Sequence, residues 1–408
     1  MKITSESIDQ LKADLTNAKT YDDLMGPNGA IKKLLKSALE GMLDGELTTH
    51  LGYEKHSPLG KNSGNSRNGK SRKRLKNDLG QIEIEVPRDR NGSFEPLIVK
   101  KYERTMGPIE DKIISMYAKG MSTRDIQSHL RELYGLQLSP TFVSNITDKI
   151  LSIASQWQNR PLEKMYPIVF FDAIHYKVKD EGIVKSKAAY TCLGVNVSGR
   201  KDLLGLWVGD SEGAAFWAGV MAELRNRGVE DILIACVDGL KGFPDAINAV
   251  FPKTDIQLCL IHVIRNTLRY IASKDKKFII QEMKKIYSSP TEEAGLTKLK
   301  EMEEKWGKKY TVSFKPWRQN WQNIATFYRY PQEIKRIIYT TNAVEALHRQ
   351  FRKVTKSKAL FPHDESLKKM LYLAYRDISK KWIRPIDNWS YVISNLSVIF
   401  GDRIVKYL

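Results

Sequence analysis

The chain has 408 residues, with 66 Lys and Arg against 47 Asp and Glu, and its net charge of +19 asks for a polyanionic partner: nucleic acid first, an anionic membrane surface second. Its 42% hydrophobic and 28% charged residues exclude a wholly disordered protein and suit two or three domains. The three cysteines, Cys192, Cys236 and Cys259, are too few and uneven for a disulfide framework; with no long apolar run or signal peptide, a soluble protein of a reducing cytoplasm, without a membrane partner, is expected.

The region 1–56 reads as helical. From Ile31 to Leu47 the residues Ile31, Leu34, Leu35, Ala38, Leu39, Met42, Leu43 and Leu47 recur at three- and four-residue steps. The stripe suits packing on this chain or on a second copy. Residues 57–80 change character. Gly, Ser and Asn alternate with Lys61, Arg67, Lys70, Arg72, Lys73, Arg74 and Lys76, and no acid interrupts them before Asp78. Such a run predicts a flexible basic arm, either a solvated linker or a segment that tracks phosphates. Gln81–Pro87 alternates apolar and polar residues and Asn91-Gly92 marks a turn, so 81–105 is a short β element.

Three helices are expected over 106–160. The first covers Ile109–Lys119. The second is capped by Ser122 with Asp125 reaching back, and the third opens at Ser139-Pro140. Tight turns between them resemble a helix-turn-helix, whose third helix would present Thr141, Ser144, Asn145 and Lys149 to DNA. A plain helical hairpin gives the same pattern.

From 161 to 262 the pattern becomes β then α. Ile168–Val178, Ala188–Asn196 and Asp202–Val208 read as strands, Ala214–Arg227 as a helix, Ile232–Val237 as a strand, Phe243–Val250 as a helix and Asp255–Leu260 as a strand. Residues 263–336 are helical and rich in Lys and Glu, and 337–408 are helical again.

Three acids stand out. Asp172 interrupts the apolar run of the first strand, where an unpaired carboxylate costs several kcal/mol. Asp238 follows Ile232–Val237 directly; with Gly239 it also makes an ordinary turn. Glu345 lies near a helix start, where Asn342 as cap would give it a capping-box role. Together they sit where a doubly covered sheet opens to ligands. Three carboxylates there suit hard divalent cations, Mg2+ or Mn2+, and two such ions serve in-line phosphoryl displacement.

The run Asp238-Gly239-Leu240-Lys241-Gly242-Phe243, then Pro252, then Gln257-Leu258-Cys259-Leu260-Ile261-His262, resembles bacterial insertion-sequence transposases of the Mutator type, a branch of the DDE transposases. Arg67-Asn68-Gly69 through Pro96, and Thr340–Glu345 with Arg349 and Arg352, extend the resemblance over nearly the whole chain. It implies an α/β ribonuclease-H-like core, a five-stranded mixed sheet, with a large all-α insertion at 263–336 and an N-terminal, mainly helical DNA-binding region. It implies Asp172, Asp238 and Glu345 as catalytic acids holding two Mg2+ ions, with Mn2+ as alternative. The partner implied is double-stranded DNA, both the element's terminal inverted repeats and the target, met by a homodimer or larger assembly near the bacterial nucleoid. DNA contacts are expected from Arg352, Arg349, Arg67, Lys70, Arg72, Lys73, Arg74, Ser144 and Asn145. Cys259 and His262 are a family signature and are read as buried and structural, since zinc needs a second ligand pair that is not evident. Trp317 and Trp321 suit core packing or stacking on a base. A DNA-binding regulator that lost catalysis and a nuclease that cuts without joining are the rival readings.

Overall fold

The computed structural model describes residue 13 and residues 16–408, other than 27, 62, 78–79, 102–108, 135, 137, 210–212, 240–241 and 340–341. These fall into two compact units divided between Asp148 and Lys149. Most of the expected helix before residue 16 lies outside the described residues.

In the first unit, helices α1 (Tyr21–Met25) and α2 (Ala30–Leu51) precede two antiparallel strands, β1 (Arg67–Asn77) and β2 (Gly80–Asp89). Leu39 and Leu43, one turn apart on α2, bury against Leu75 of β1 and Ile82 and Ile84 of β2. The Leu35–Leu39–Leu43 part of the stripe on α2 is thus covered by the chain's own ribbon, while Leu34 and Met42 stay exposed. The stretch 57–80 is not the flexible arm that its composition predicts, because Arg67–Asn77, which carries all its cations except Lys61, is strand β1. The missing acids come from the neighbouring strand. Residues 70, 72, 74 and 76 share one face of β1, and Glu83 and Glu85 stand opposite on β2. Arg74 lies 3.0 Å and Arg72 3.9 Å from Glu83, and Lys70 3.9 Å from Glu85.

At the end of β2, the buried Asp89 gathers the following turn. It accepts from Asn65 Nδ2 at 2.8 Å, Ser93 Oγ at 2.6 Å, and the N–H groups of Ser93 and Phe94 at 3.0 and 3.1 Å. The three expected helices follow as α3 (Ile109–Ala118), α4 (Thr123–Tyr134) and α5 (Pro140–Gln158). Ser122 and Asp125 form the expected capping box, with Asp125 N–H on Ser122 Oγ at 3.1 Å and Ser122 N–H on Asp125 Oδ2 at 3.0 Å.

The second unit is built on a mixed sheet of five strands in the order β5-β4-β3-β6-β7. They are β3 (Met165–Asp180), β4 (Ile183–Val195), β5 (Lys201–Gly209), β6 (Asp231–Val237) and β7 (Asp255–Leu258). The first three are antiparallel and β3, β6 and β7 are parallel. Helices α6 (Ala214–Asn226) and α7 (Phe243–Val250) connect β5 to β6 and β6 to β7, which is the order the sequence predicts. Both cover one face. Phe171 of β3 meets the rings of Trp217 and Phe243 edge-on at 6.1 and 5.1 Å, and those two rings stack at 3.7 Å.

After β7 come α8 (Leu260–Leu268), α9 (Ser273–Tyr287), α10 (Glu292–Trp306), α11 (Thr311–Gln319), α12 (Trp321–Ile324), a 3-10 turn (Ala325–Arg329) and α13 (Gln332–Ile338). Their apolar residues, among them Ile279, Met283 and Leu299, share one core with the sheet. The stretch also returns to the sheet edge: Thr326 Oγ donates to Ile256 O at 2.7 Å and Gln257 Nε2 to Ile324 O at 3.1 Å. Edge strand β7 is thereby covered. Trp317 is core, fully buried with its indole N–H on Thr267 Oγ at 2.8 Å, and Trp321 is half-buried on Glu292 at 3.1 Å.

Helices α14 (Asn342–Thr355), α15 (Asp364–Ser379), α16 (Trp389–Phe400) and α17 (Asp402–Val405) close the chain. Between α14 and α15, Phe361 pairs with the outer part of β3, Lys179 N–H on Phe361 O at 2.8 Å and Phe361 N–H on Lys177 O at 2.9 Å. Among the described residues no helix is long and apolar enough to cross a membrane.

Candidate active site

Strand register brings the first two acids together. In the β3/β6 pair Phe170 stands opposite Cys236, an offset of 66 residues, and two steps further the same offset sets Asp172 level with Asp238. Val237 stands opposite Leu258 on β7, so the next step sets Asp238 level with Cys259, whose N–H donates to Val237 O at 2.8 Å. Asp172, Asp238 and Cys259 therefore lie at one level, just past the carboxyl ends of β6 and β7, where such sheets open, and midway along the longer β3.

On β3 the alternation of side chains turns Phe171 to α6 and α7 and Asp172 to the opposite face, where α14 lies. The Asp172 carboxylate is 6% exposed. Its Oδ1 accepts the Ala173 N–H at 2.9 Å, and its Oδ2 is 3.4 Å from His348 Nδ1 on α14. Burial raises its acid above the ordinary carboxyl value, and the Glu345 charge adds to this; His262, the Ala173 N–H and Arg352 oppose it. His262 is held protonated above its usual range by its hydrogen bond with Cys259 and by the charges of Asp172 and Asp238. These mutual effects tie Asp172, Asp238, Glu345 and His262 into one electrostatic neighbourhood.

Helix α14 begins at Asn342, which makes Glu345 its fourth residue, and Glu345 Oε1 lies 3.1 Å from Arg265 Nη2 of α8. Thr340 and Thr341 lie outside the described residues, as do Leu240 and Lys241 of the second motif. Gly242 is described, in the left-handed region at φ +80° as it opens α7.

The donor set suits a hard divalent cation: the Glu345 charge raises the Asp172 acid, which a cation relieves. The side chains are not drawn in around one. Among the described residues no three His, Cys, Asp or Glu side chains are gathered closely enough to hold a metal ion. Glu345 is turned to Arg265, Asp172 Oδ1 accepts the Ala173 N–H, and Asp172 Oδ2 faces the His348 ring.

The expected DNA-contacting residues divide. Arg349 and Arg352 are exposed on α14, and the Arg352 charge reaches Asp172 and His348. In the first unit Asn145 is exposed and Ser144 half-buried on α5. Arg67 is committed internally, donating to Thr48 Oγ at 2.8 Å and Tyr53 O at 3.1 Å. Lys73 donates to the carbonyls of Lys100 and Lys101. The Arg72 and Arg74 side chains stay 79% and 71% exposed, and Lys70 lies between Asp44 and Glu85. The three cysteines are buried, and none forms a disulfide. Three residues of the site, Thr191, Arg265 and His348, escape sequence reasoning. Only His348 carried a signal, one helical turn after Glu345.

Comparison with known proteins agrees over the full length. A family model described as "Transposase, Mutator family" matches residues 7–385. The chain is 44% identical over 404 residues to a transposase for insertion sequence element ISRM3 of Rhizobium meliloti, covering 99% of each. It is 32% identical over 347 residues to the transposase for IS905 of Lactococcus lactis, covering 85% of this chain and 88% of that one. Among solved structures, the Drosophila P element transposase strand transfer complex aligns with 67% of this chain and 80% of its own at 12% identity and a TM-score of 0.28. The chain belongs to the Mutator family of transposases, as an insertion-sequence transposase.

Proposed function

We propose that this transposase cuts and joins DNA strands at the ends of its own element, using Asp172, Asp238 and Glu345 in one site. The observation that carries the reading is the shared level of Asp172 and Asp238 across β3 and β6, with Glu345 near enough to raise the Asp172 acid. We read the sheet, three antiparallel strands continued by two parallel ones, as a ribonuclease-H-like core. The three carboxylates would hold Mg2+ or Mn2+, which supplies charge stabilisation for the attacking and leaving oxygens of an in-line displacement. Arg349 and Arg352, exposed on the Glu345 helix, hold the phosphates of the strand being cut. Water attacks the phosphodiester at the element end and a 3′-hydroxyl leaves. That hydroxyl then attacks a target phosphodiester in the same site. α5 and the open cations of β1 bind the terminal inverted repeats as duplex DNA, and pairing two ends calls for at least a dimer on DNA, in the bacterial cytoplasm.

A strand-transfer assay with labelled end DNA and Mg2+ tests this. Wild type yields both nicked and joined products. Asp172→Asn, Asp238→Asn and Glu345→Gln bind the DNA and yield neither. Cutting without joining returns the protein to a nuclease, and end binding without either product, in wild type, to a regulator.

A further inference from the structure

We propose that His348 is a positioning residue: it fixes the Asp172 carboxylate and docks the helix carrying Glu345 onto the strand carrying Asp172. The inference rests on the reading of Asp172 as a catalytic acid. His348 is 3% exposed, on α14, three residues after Glu345. Its Nδ1 is 3.4 Å from Asp172 Oδ2 and its Nε2 is 2.9 Å from Thr191 Oγ. Thr191 is the cross-strand neighbour of Asp172 on β4, and its Oγ also donates to the Asp172 carbonyl oxygen at 3.2 Å. One imidazole thus ties β3, β4 and α14 together at the residue that matters.

The chemistry of the ring sets the direction. An imidazole nitrogen beside a carboxylate oxygen is favoured as a hydrogen-bond donor, and the ring nitrogen that stands there is Nδ1. Nδ1 is the ring nitrogen placed to donate to the carboxylate, and Nε2 is the one that meets Thr191 Oγ, whose hydroxyl donates to the Asp172 carbonyl. Asp172 is then held at both oxygens, Oδ1 by the Ala173 N–H and Oδ2 by His348. Hydrogen bonds to a ligating carboxylate fix the direction of its remaining lone pairs, and loss of such a partner typically weakens metal binding or activity by about 10- to 100-fold.

Two amide substitutions separate this from mere packing. Asn carries its amide near the place of Nδ1, and Gln near that of Nε2. His348→Asn keeps the Asp172 donor and should bind Mn2+ alone, counted by electron paramagnetic resonance without DNA, within about threefold of wild type. His348→Gln keeps only the Thr191 contact. It should bind Mn2+ at least about tenfold more weakly, with a matching fall in kcat and an unchanged KM for end DNA. Thr191→Val, nearly isosteric, should weaken Mn2+ binding about two- to fivefold through the freed ring, and stands in should both amide variants fail to fold. Equal losses in the Asn and Gln variants, or wild-type Mn2+ binding in Thr191→Val or His348→Gln, overturn the assignment. Asp172→Asn is the control for the underlying reading. If it cuts and joins as wild type does, the catalytic reading fails; if it is inert while His348→Gln behaves as wild type, only the role of His348 fails.

Discussion

Strands β1 and β3 both carry charge where a strand usually carries none, and they treat it in opposite ways. On β1 the charges are many, exposed and matched across the ribbon by Glu83 and Glu85. On the buried first part of β3, residues 165–174, the charge is single, and it is met by one imidazole and its own backbone. Exposed pairs are screened and each contributes roughly 0–1 kcal/mol, so β1 tolerates change. A buried carboxylate costs several kcal/mol unless partnered, so β3 does not. Dense charge is therefore a weak guide to a site, and one misplaced charge a strong one.

The contrast is tested first at the buried end. Glu345→Gln should lower Mg2+-dependent cleavage and joining by about a thousandfold or more, roughly 4 kcal/mol in the barrier. Its folding stability should stay within about 1 kcal/mol, because the Arg265 partner is largely exposed. Cleavage near the wild-type rate would remove Glu345 from the site. Phe171→Ala probes the other face of the same strand. It empties the space against Trp217 and Phe243, and urea unfolding should show a loss of about 3–5 kcal/mol.

Asp89 is the intermediate case, a buried acid inside the exposed ribbon. Burial alone would raise its pKa, but hydrogen bonds from Ser93, Asn65 and the Phe94 N–H outweigh burial and hold it well below the carboxylate range. The unfolded chain then binds the proton before the folded one does. Stability contributed by Asp89 is thus present above an ordinary carboxyl pKa of about 3.9 and lost as pH falls below it. Asp89→Asn should flatten that acid limb and cost about 1–3 kcal/mol at neutral pH, read from melts across pH. The smallest effects lie on β1. Arg72→Ala and Arg74→Ala should each shift stability by less than about 0.5 kcal/mol and lower the salt slope of DNA binding by up to about 0.9 per lost phosphate contact. Lys73→Ala should leave that slope alone, since its ammonium is taken by the Lys100 and Lys101 carbonyls.

What sequence discloses follows from the reach of each interaction. Helical periodicity, the Ser122–Asp125 cap and the strand order of the second unit are local or repetitive, and all are readable in the chain. The place of β1 is not, because its acids sit on the next strand. Glu345 meets Arg265 across 80 residues, and His348 meets Thr191 across 157. No local pattern carries such pairings. The 66-residue gap between Asp172 and Asp238 is plain in the sequence, but only the β3/β6 register makes it a distance in space. Trp317 stays ambiguous as a motif and resolves once Thr267 stands beside its indole nitrogen.

The helical stretch that follows β7 departs from Cys259 and comes back to the same strand at Ile324 and Thr326. Its two ends are thus pinned to one edge of the sheet, next to the level of Asp238, before the chain goes on to α14. Its far turns, such as exposed Lys308 between α10 and α11, are free of that constraint. Length added there changes neither the exit nor the re-entry point. A reporter domain grafted at Lys308 would ride on the protein while Asp238 and Glu345 keep their separation, which makes that turn a natural handle for following the transposase on DNA.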